Sequence, residues 1–250
     1  MCKYYIIIQA RLSSTRMPGK VLQAFASSQS ILSLQLKNLR ILDVPILLAT
    51  TTNPNDDILE EFAHKNKLLC YRGSENDVLG RFIMASNADY IVRVCSDNPF
   101  LDIQSIVTFM KHLDEDIDYI SFKNEDGTPA IRTHWGLFAE VVSRKALLNA
   151  HKQTENHTKG AFYREHVTNY IYENPEKFNL KLLEAPEIIK DRNDLRFTID
   201  TPEDFENMQR LYQIIERDGG DFSLESLVKT TDKHPEIKKV MGEGIARFRK

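Results

Sequence analysis

Apolar and polar positions along the chain follow two rhythms. Ile6-Ile7-Ile8 is a short β-branched run closed by a polar loop, and from Ile31 to Leu42 the apolar residues gather on one helical face. Pro45-Ile46-Leu47-Leu48-Ala49-Thr50 reads as a second buried strand. Asp56 or Asp57 is placed to cap a helix whose inner face is Ile58, Leu59, Phe62 and Ala63. Leu68-Leu69-Cys70-Tyr71 is a third strand, and Val78, Leu79, Phe82 and Ile83 form one side of the helix after it. Tyr90-Ile91-Val92-Arg93-Val94-Cys95 is a fourth strand, followed by a helix with Ile103, Ile106, Val107 and Met110 inward. Strands alternating with helices predict an α/β fold, a mostly parallel sheet flanked by helices and joined by crossovers.

After Tyr119-Ile120-Ser121-Phe122 the rhythm breaks. Residues 123 to 136 read as a turn region, Val141 to Ala150 and Phe162 to Tyr172 as helices, and Leu195 to Ile199 as a returning strand. A last helix is expected from Thr201 to Arg217. The expectation is one α/β domain over residues 1–250 with a smaller inserted region around 120–180. Tyr119, Phe122, Trp135, Phe138 and Tyr163 make that region aromatic, which suits a homodimer contact.

Composition narrows the choice of partners. The chain has 250 residues, 36 acidic and 33 basic side chains, a net charge of −3 and 42% apolar residues. That balance argues against nucleic-acid binding, which needs a basic face, so any anion must be held by a local cluster. No apolar run reaches the roughly 18 residues of a membrane span, and Met1 to Ile8 reads as a first strand and not as a signal peptide. Cys2, Cys70 and Cys95 form no CxxC pair, so neither a disulfide framework nor a zinc knuckle is expected. A soluble cytoplasmic protein is the expectation.

Chemistry concentrates in three places. Gln9-Ala10-Arg11-Leu12-Ser13-Ser14-Thr15-Arg16-Met17-Pro18-Gly19-Lys20 follows the first strand, where open α/β sheets bind ligands. Its three cations and three hydroxyls suit a polyphosphate, Arg by its fork and Lys as a mobile point charge. It is neither a Walker A loop nor a GxGxxG fingerprint, and a solvated loop paired with surface carboxylates is the alternative. Asp97, at the end of the fourth strand, is either a Mg²⁺ ligand or part of an ordinary Asp-Asn-Pro turn. Asp200, in Arg196-Phe197-Thr198-Ile199-Asp200-Thr201-Pro202, is either a second ligand or, with Thr201, an N-cap candidate. If both aspartates hold one ion, they should repel each other as like charges when it is absent.

Taken together, QARLSSTRMPGK, RGSENDVLGRF, RVCSDNPFLD, REHVTNYIYENPEKF and RFTIDTPEDF resemble the spore-coat polysaccharide cytidylyltransferase family. More distantly they resemble the 3-deoxy-manno-octulosonate and acylneuraminate cytidylyltransferases. The resemblance implies a nucleotide-diphospho-sugar transferase (Rossmann-like) fold. It also implies a Mg²⁺-dependent reaction of CTP with an acidic sugar of the 2-keto type, releasing pyrophosphate. By that resemblance Arg11 and Lys20 fall on triphosphate-binding positions, and Asp97 and Asp200 on the metal carboxylates. Gln9, Ala10, Ser14, Arg16, Arg72, Asp77 and Arg81 join the expected nucleotide site, and Arg164, Glu165 and His166 the expected sugar site. For Arg72, Asp77 and Arg81 a capped helix with a surface ion pair remains the alternative, and for His166 a partly buried helix histidine. A phosphate or phosphonate acceptor is the nearest competing reading. A nucleotide-sugar glycosyltransferase is another, although no DxD motif ends a strand here.

Overall fold

The computed structural model describes residues 3–248; Met1 and Cys2, which the first-strand expectation includes, lie outside the described residues. A seven-stranded sheet runs in the order β5-β4-β1-β6-β8-β7-β9. Its strands are β1 (Tyr4–Gln9), β4 (Ile46–Thr51), β5 (Leu69–Gly73), β6 (Tyr90–Cys95), β7 (Tyr119–Lys123), β8 (Glu140–Ser143) and β9 (Leu180–Glu184). Only β8 runs against its neighbours. The pair β2 (Ala24–Ala26) and β3 (Gln29–Ser30) forms a small separate hairpin.

Helices cover both faces, because every strand of a parallel sheet must bury two faces. Ile6, Ile7 and Ile8 are fully buried, and their side chains alternate between two cores. Ile7 meets the core of α3 (Val78–Ala85), α5 (Arg144–Thr154), α6 (Gly160–Glu165) and α7 (Asn169–Tyr172). Ile6 and Ile8 meet the core of α1 (Ile31–Leu39), α2 (Asp57–Lys65), α4 (Ile103–His112) and α8 (Pro202–Arg217). This second core also takes in α9 (Leu224–Asp232) and α10 (Pro235–Arg247). The alternating expectation for the first half is met strand by strand and helix by helix.

The second half departs from its pattern in three places. Val141 and Val142 lie in β8, and the helix begins only at Arg144, where the Ser143 hydroxyl caps it by accepting from Ala146 N at 2.9 Å. Two β-branched residues buried on both faces fit a strand, and their short run carries no period of its own. The expected helix from Phe162 to Tyr172 is broken between Glu165 and Asn169, so His166 sits at a helix end. Leu195 to Ile199 joins no ladder. Phe197 N donates to Trp135 O at 3.1 Å and Ile199 N to Asp97 O at 3.1 Å. Three strands, β7 to β9, come from the stretch expected to be an insertion or from its border, and all belong to the main sheet. The aromatic set expected at a dimer contact is internal: Tyr119, Phe122, Trp135, Phe138 and Tyr163 are all buried within the chain. Trp135 also donates its indole N–H to Arg192 O.

Strand register sets the position of the site. Gln9 pairs with Cys95 on one side and Ala49 on the other, and Thr51 with Gly73. The loops after β1, β4, β5 and β6 therefore leave the sheet side by side. Chain order reverses across β1, with β4 on one side and β6 on the other, which opens the usual ligand crevice at the carboxyl ends. On its far wall Gly136 adopts φ +63°, and an added Cβ would lie 2.8 Å from the Thr198 backbone nitrogen. Gly136→Ala should therefore cost about 1–3 kcal/mol, seen as a lower urea midpoint with an unchanged m-value. An unshifted midpoint would show that residues 195–199 yield without cost.

Candidate active site

The loop from Ala10 to Lys20 is shaped from beneath by a buried carboxylate. Asp56 was a candidate helix cap, yet its side chain caps nothing. It accepts from Leu12 N at 2.7 Å and from the Thr51 hydroxyl, and it is fully buried. The Gly19 amide closes the loop onto Leu12 O at 3.2 Å with φ +72°, a left-handed conformation that glycine adopts without strain. Ser14 accepts from Met17 N, Ala10 is buried beside β4, and Gln9 accepts from Arg93 at 3.4 Å.

The three loop cations point in three directions, and each meets carboxylates from another segment. Arg11 lies 4.0 Å from Glu75 and 3.8 Å from Glu165. Arg16 bonds Asp200 Oδ1 at 2.7 Å. Lys20 is nearly buried; it donates to Ile199 O and lies 3.6 Å from Asp97 Oδ2. Hydrogen bonds from Ser13 and Asn53, with the nearby charges of Arg11 and Arg81, hold the Glu75 carboxyl below the ordinary glutamate range.

The Asp97 turn is braced by Gln35 of α1, whose amide donates to Cys95 O at 2.9 Å and Asn98 O at 2.8 Å. The bond from Ile199 N to Asp97 O then brings Asp200 alongside. Thr201, not Asp200, caps α8: its hydroxyl accepts from Asp204 N while the Asp204 carboxylate accepts from Thr201 N. Asp200 is thereby free for other partners, taking Arg16 on one oxygen and Arg196 at 2.6 Å on the other. Against the expected repulsion between Asp97 and Asp200 stand Lys20 and two arginines as counter-charges. Burial pushes the Asp200 carboxyl up, but the Arg196 hydrogen bond and the charges of Lys20, Arg196 and Arg16 hold it below the usual range.

The remaining expected residues divide. Arg72 spends its donors on Thr51 O, Asn53 O, Asp57 and Glu60, clamping the start of α2. Asp77 caps α3 through Gly80 N at 2.8 Å and pairs with His151 at 3.0 Å, so both keep to the capping and ion-pair alternative in this structure. Arg81 lies under the loop that carries Glu75, almost wholly buried, with one donor on Ser74 O and Nε and Nη2 without acceptors among the described residues. Burial and the charge of Arg11 push its guanidinium down to about 10, against the pull of Asp56, Glu75 and Asp77. Glu165 reaches the first loop through Arg11, whereas Arg164 lines a separate shallow depression with Ser74 and Asp77.

His166 opens onto a cavity beside Asp97. This cavity of about 430 Å³ is lined by Asp97, Arg93, Arg132, Asn169, Tyr172 and the rings of Phe138 and Phe162, among others. Arg93 is buried and paired with Glu140, which Tyr119 at 2.5 Å and Thr168 also reach. Arg132 is more loosely held, 3.8 Å from Glu173. Desolvation of the His166 ring, with Arg93 and Arg132 nearby, lowers its pKa against the opposing charges of Glu165 and Glu173. Residue-type reasoning missed Asp56, Gln35, Glu75, Arg132 and Arg196. Arg196 and Glu75 stood within the quoted motifs, Asp56 carried only the signal of a helix cap, and Gln35 and Arg132 carry no local signal.

Among the described residues no group of three or more His, Cys, Asp or Glu side chains is placed to hold a metal, and no helix is long and apolar enough to cross a membrane. Because the folded pKa of Asp200 is depressed, the stability it adds is complete above its unfolded value of about 3.9 and is lost as pH falls through the folded value. Asp200→Asn should thus cost about 2–3 kcal/mol at pH 7, since it weakens a buried pair with Arg196. The gap to the parent should narrow as urea titrations are stepped down below about pH 4. An Asn variant equally stable at pH 7 would restore the repulsion between aspartates as the governing effect.

Comparison with known proteins agrees with this fold. The family described as cytidylyltransferase matches residues 5–218. The spore coat polysaccharide biosynthesis protein SpsF of Bacillus subtilis is 34% identical over 239 residues, covering 92% of this chain and 94% of that protein. A cytidylyltransferase from Leptospira borgpetersenii serovar Hardjo-bovis superposes with a TM-score of 0.76 at 29% identity, over 95% of this chain and 97% of the other. CMP:2-keto-3-deoxy-manno-octonic acid synthetase, solved with CTP, shares the fold with a TM-score of 0.61 at 14% identity, over 85% and 99% of the two chains. With its parallel sheet, switch-point crevice and cationic first loop, the chain belongs to the cytidylyltransferase family.

Proposed function

We propose that this protein transfers CMP from CTP to an acidic sugar of the 2-keto type, releasing pyrophosphate, in the synthesis of a surface or spore-coat polysaccharide. One observation carries the reading. Asp97 stands 3.6 Å from Lys20 of the cationic loop and also lines the 430 Å³ cavity, so the phosphate side and the acceptor side share a wall. The loop supplies positive charge for a triphosphate, and the cavity offers Arg132 to an anion, with Asn169 and Tyr172 for hydroxyls. The relatives named spore coat polysaccharide biosynthesis protein and CMP:2-keto-3-deoxy-manno-octonic acid synthetase support that direction.

In the proposed step a hydroxyl oxygen of the acceptor forms a bond to the α-phosphorus. The bond from that phosphorus to the bridging oxygen breaks, and pyrophosphate leaves with the electron pair. Little covalent work falls to side chains, so orientation and charge offset dominate. Arg11, Arg16 and Lys20 offset charge on the departing pyrophosphate. His166, held toward its neutral form, can take the hydroxyl proton within the cavity.

Mg²⁺ is the cofactor this reading implies, and the two aspartates fit it. Asp97 faces the cavity with Lys20 as its only side-chain partner among the described residues. The outer oxygen of Asp200 is covered only by the half-exposed Arg16, a side chain that can turn to a phosphate. Asp97 and Asp200 would hold the ion, with phosphate oxygens and water completing it, and it would offset charge on the triphosphate. No third protein carboxylate is required.

The test combines each of the four nucleoside triphosphates with Mg²⁺ and a panel of 2-keto sugar acids, neutral sugars and sugar phosphates, reading pyrophosphate and product mass. CTP with a sugar acid should be turned over; turnover of sugar phosphates alone would replace the acceptor assignment. Arg11→Ala and Lys20→Ala should each cost about 2–4 kcal/mol in kcat/KM for CTP. Arg132→Ala should raise the acceptor KM about tenfold or more while KM for CTP stays put, the loss of one charge-assisted contact. A changed KM for CTP alone would move Arg132 out of the acceptor site.

A further inference from the structure

Beyond residue 218, where the family match ends, α9 and α10 continue the chain, and α10 returns to the site. It is anchored by buried Ile237 and Met241 and by a bond from the Asn207 amide to Ile237 O at 3.1 Å. Gly244 lets it come close. An added Cβ there would lie 2.7 Å from Arg196 Nε and 3.2 Å from Asp204 Oδ1. One turn further on, Arg16 and Arg196 both place their guanidinium groups over the Phe248 ring, at 4.6 Å and 5.1 Å.

The two arginines need that ring for different reasons. Arg196 is buried, and its Nε and Nη1 have no acceptor among the described residues. An aromatic face is the partner that can offset such unmet positive charge without itself needing a hydrogen bond. Arg16 is half-exposed, and Asp200 is its only carboxylate among the described residues. Without the ring, a long side chain on a loop would sample many rotamers and spend little time beside Asp200.

We infer that Phe248 is a positioning residue for nucleotide binding: its ring, delivered by α10, holds Arg16 and Arg196 about Asp200 and so keeps Arg16 ordered at the triphosphate side of the crevice. This rests on the proposed nucleotide role of Arg16. Stacked on the ring, the Arg16 guanidinium stays at the triphosphate side while it exchanges Asp200 for a phosphate, so less side-chain entropy is lost on binding, and removing the ring weakens the triphosphate without touching the acceptor cavity.

Calorimetric CTP binding with Mg²⁺, together with steady-state kinetics and thermal melting, tests this on the full chain. Phe248→Leu keeps apolar volume but removes the π face; it should weaken CTP binding about tenfold. Acceptor KM should stay near the parent value, while the melting temperature should fall by a few degrees because buried Arg196 loses the aromatic face. Phe248→Tyr should bind CTP as the parent does. Arg16→Ala combined with Phe248→Leu should bind no more weakly than Arg16→Ala alone, since the ring acts through Arg16. Parent-like CTP binding in Phe248→Leu, or additive losses in the double variant, would overturn the inference and leave the nucleotide site standing. Parent-like CTP binding in Arg16→Ala would instead remove the nucleotide role of that arginine, and the inference with it.

Discussion

Three cations within ten residues of one loop repel one another, and the rest of the site is organised around neutralising them. Each answer comes from a different place in the sequence. Glu75 follows β5, Glu165 ends α6, Asp97 follows β6, and Asp200 precedes α8. No single segment could supply all four, so the loop takes its shape only when the sheet has set its strands in register. Fold and site are in this sense one problem: the pairing of Gln9 with Cys95 brings Lys20 and Asp97 within reach of each other.

A second tier of residues holds the first in place through hydrogen bonds made mostly to backbone. Gln35 ties the two carbonyls that bracket Asp97, and Asp56 ties Leu12 to the end of β4. The capping box of Thr201 and Asp204 satisfies the start of α8 and leaves both oxygens of Asp200 to arginines. These contacts are buried, where an unmet polar group costs far more than a made bond contributes, so they fix the geometry more firmly than the exposed ion pairs above them. Arg11, held at 3.8 Å and 4.0 Å by two partly exposed carboxylates, is the loosest of the three cations and the readiest to change partners.

Much of this was legible in the sequence, for reasons that can be named. The first half reads correctly because Ile6 to Ile8, Leu47 to Ala49 and Ile91 to Val94 are apolar runs too short for helices and separated by clear helical faces. The loop and Asp97 stood out because they follow predicted strands, where open α/β sheets bind ligands, and Asp200 because it follows the expected strand Leu195 to Ile199. What failed depended on tertiary context. Val141-Val142 carries no period to distinguish strand from helix, and Leu195 to Ile199 has strand composition but meets Trp135 and Asp97 in place of a ladder. Asp56 looked like a cap because local spacing allowed it, and only the fold could show that Leu12, 44 residues earlier, claims the carboxylate. The aromatic residues between 119 and 163 looked available for a partner because composition does not say which side of a sheet a ring faces.

Charge balance also bears on the proposed metal dependence. The cations Arg11, Arg16 and Lys20 face the carboxylates Glu75, Glu165, Asp97 and Asp200, with Arg196 behind them, so the site is close to neutral as it stands. A site already balanced cannot accept a triphosphate by simple attraction. When the cations turn to phosphate, the carboxylates they leave are like charges facing the same ligand, and in a half-buried crevice that repulsion is poorly screened. Glu75 and Glu165 are near enough to solvent to swing aside, but Asp200 is held by Arg196 and Asp97 by its braced turn. The two fixed carboxylates are those the proposal assigns to Mg²⁺, and a divalent ion held there would offset the charge that Arg16 and Lys20 uncover. On this reading metal and triphosphate would bind together because the ion would offset part of the charge that the triphosphate brings, and the ion pairs of the crevice are the partners both must displace.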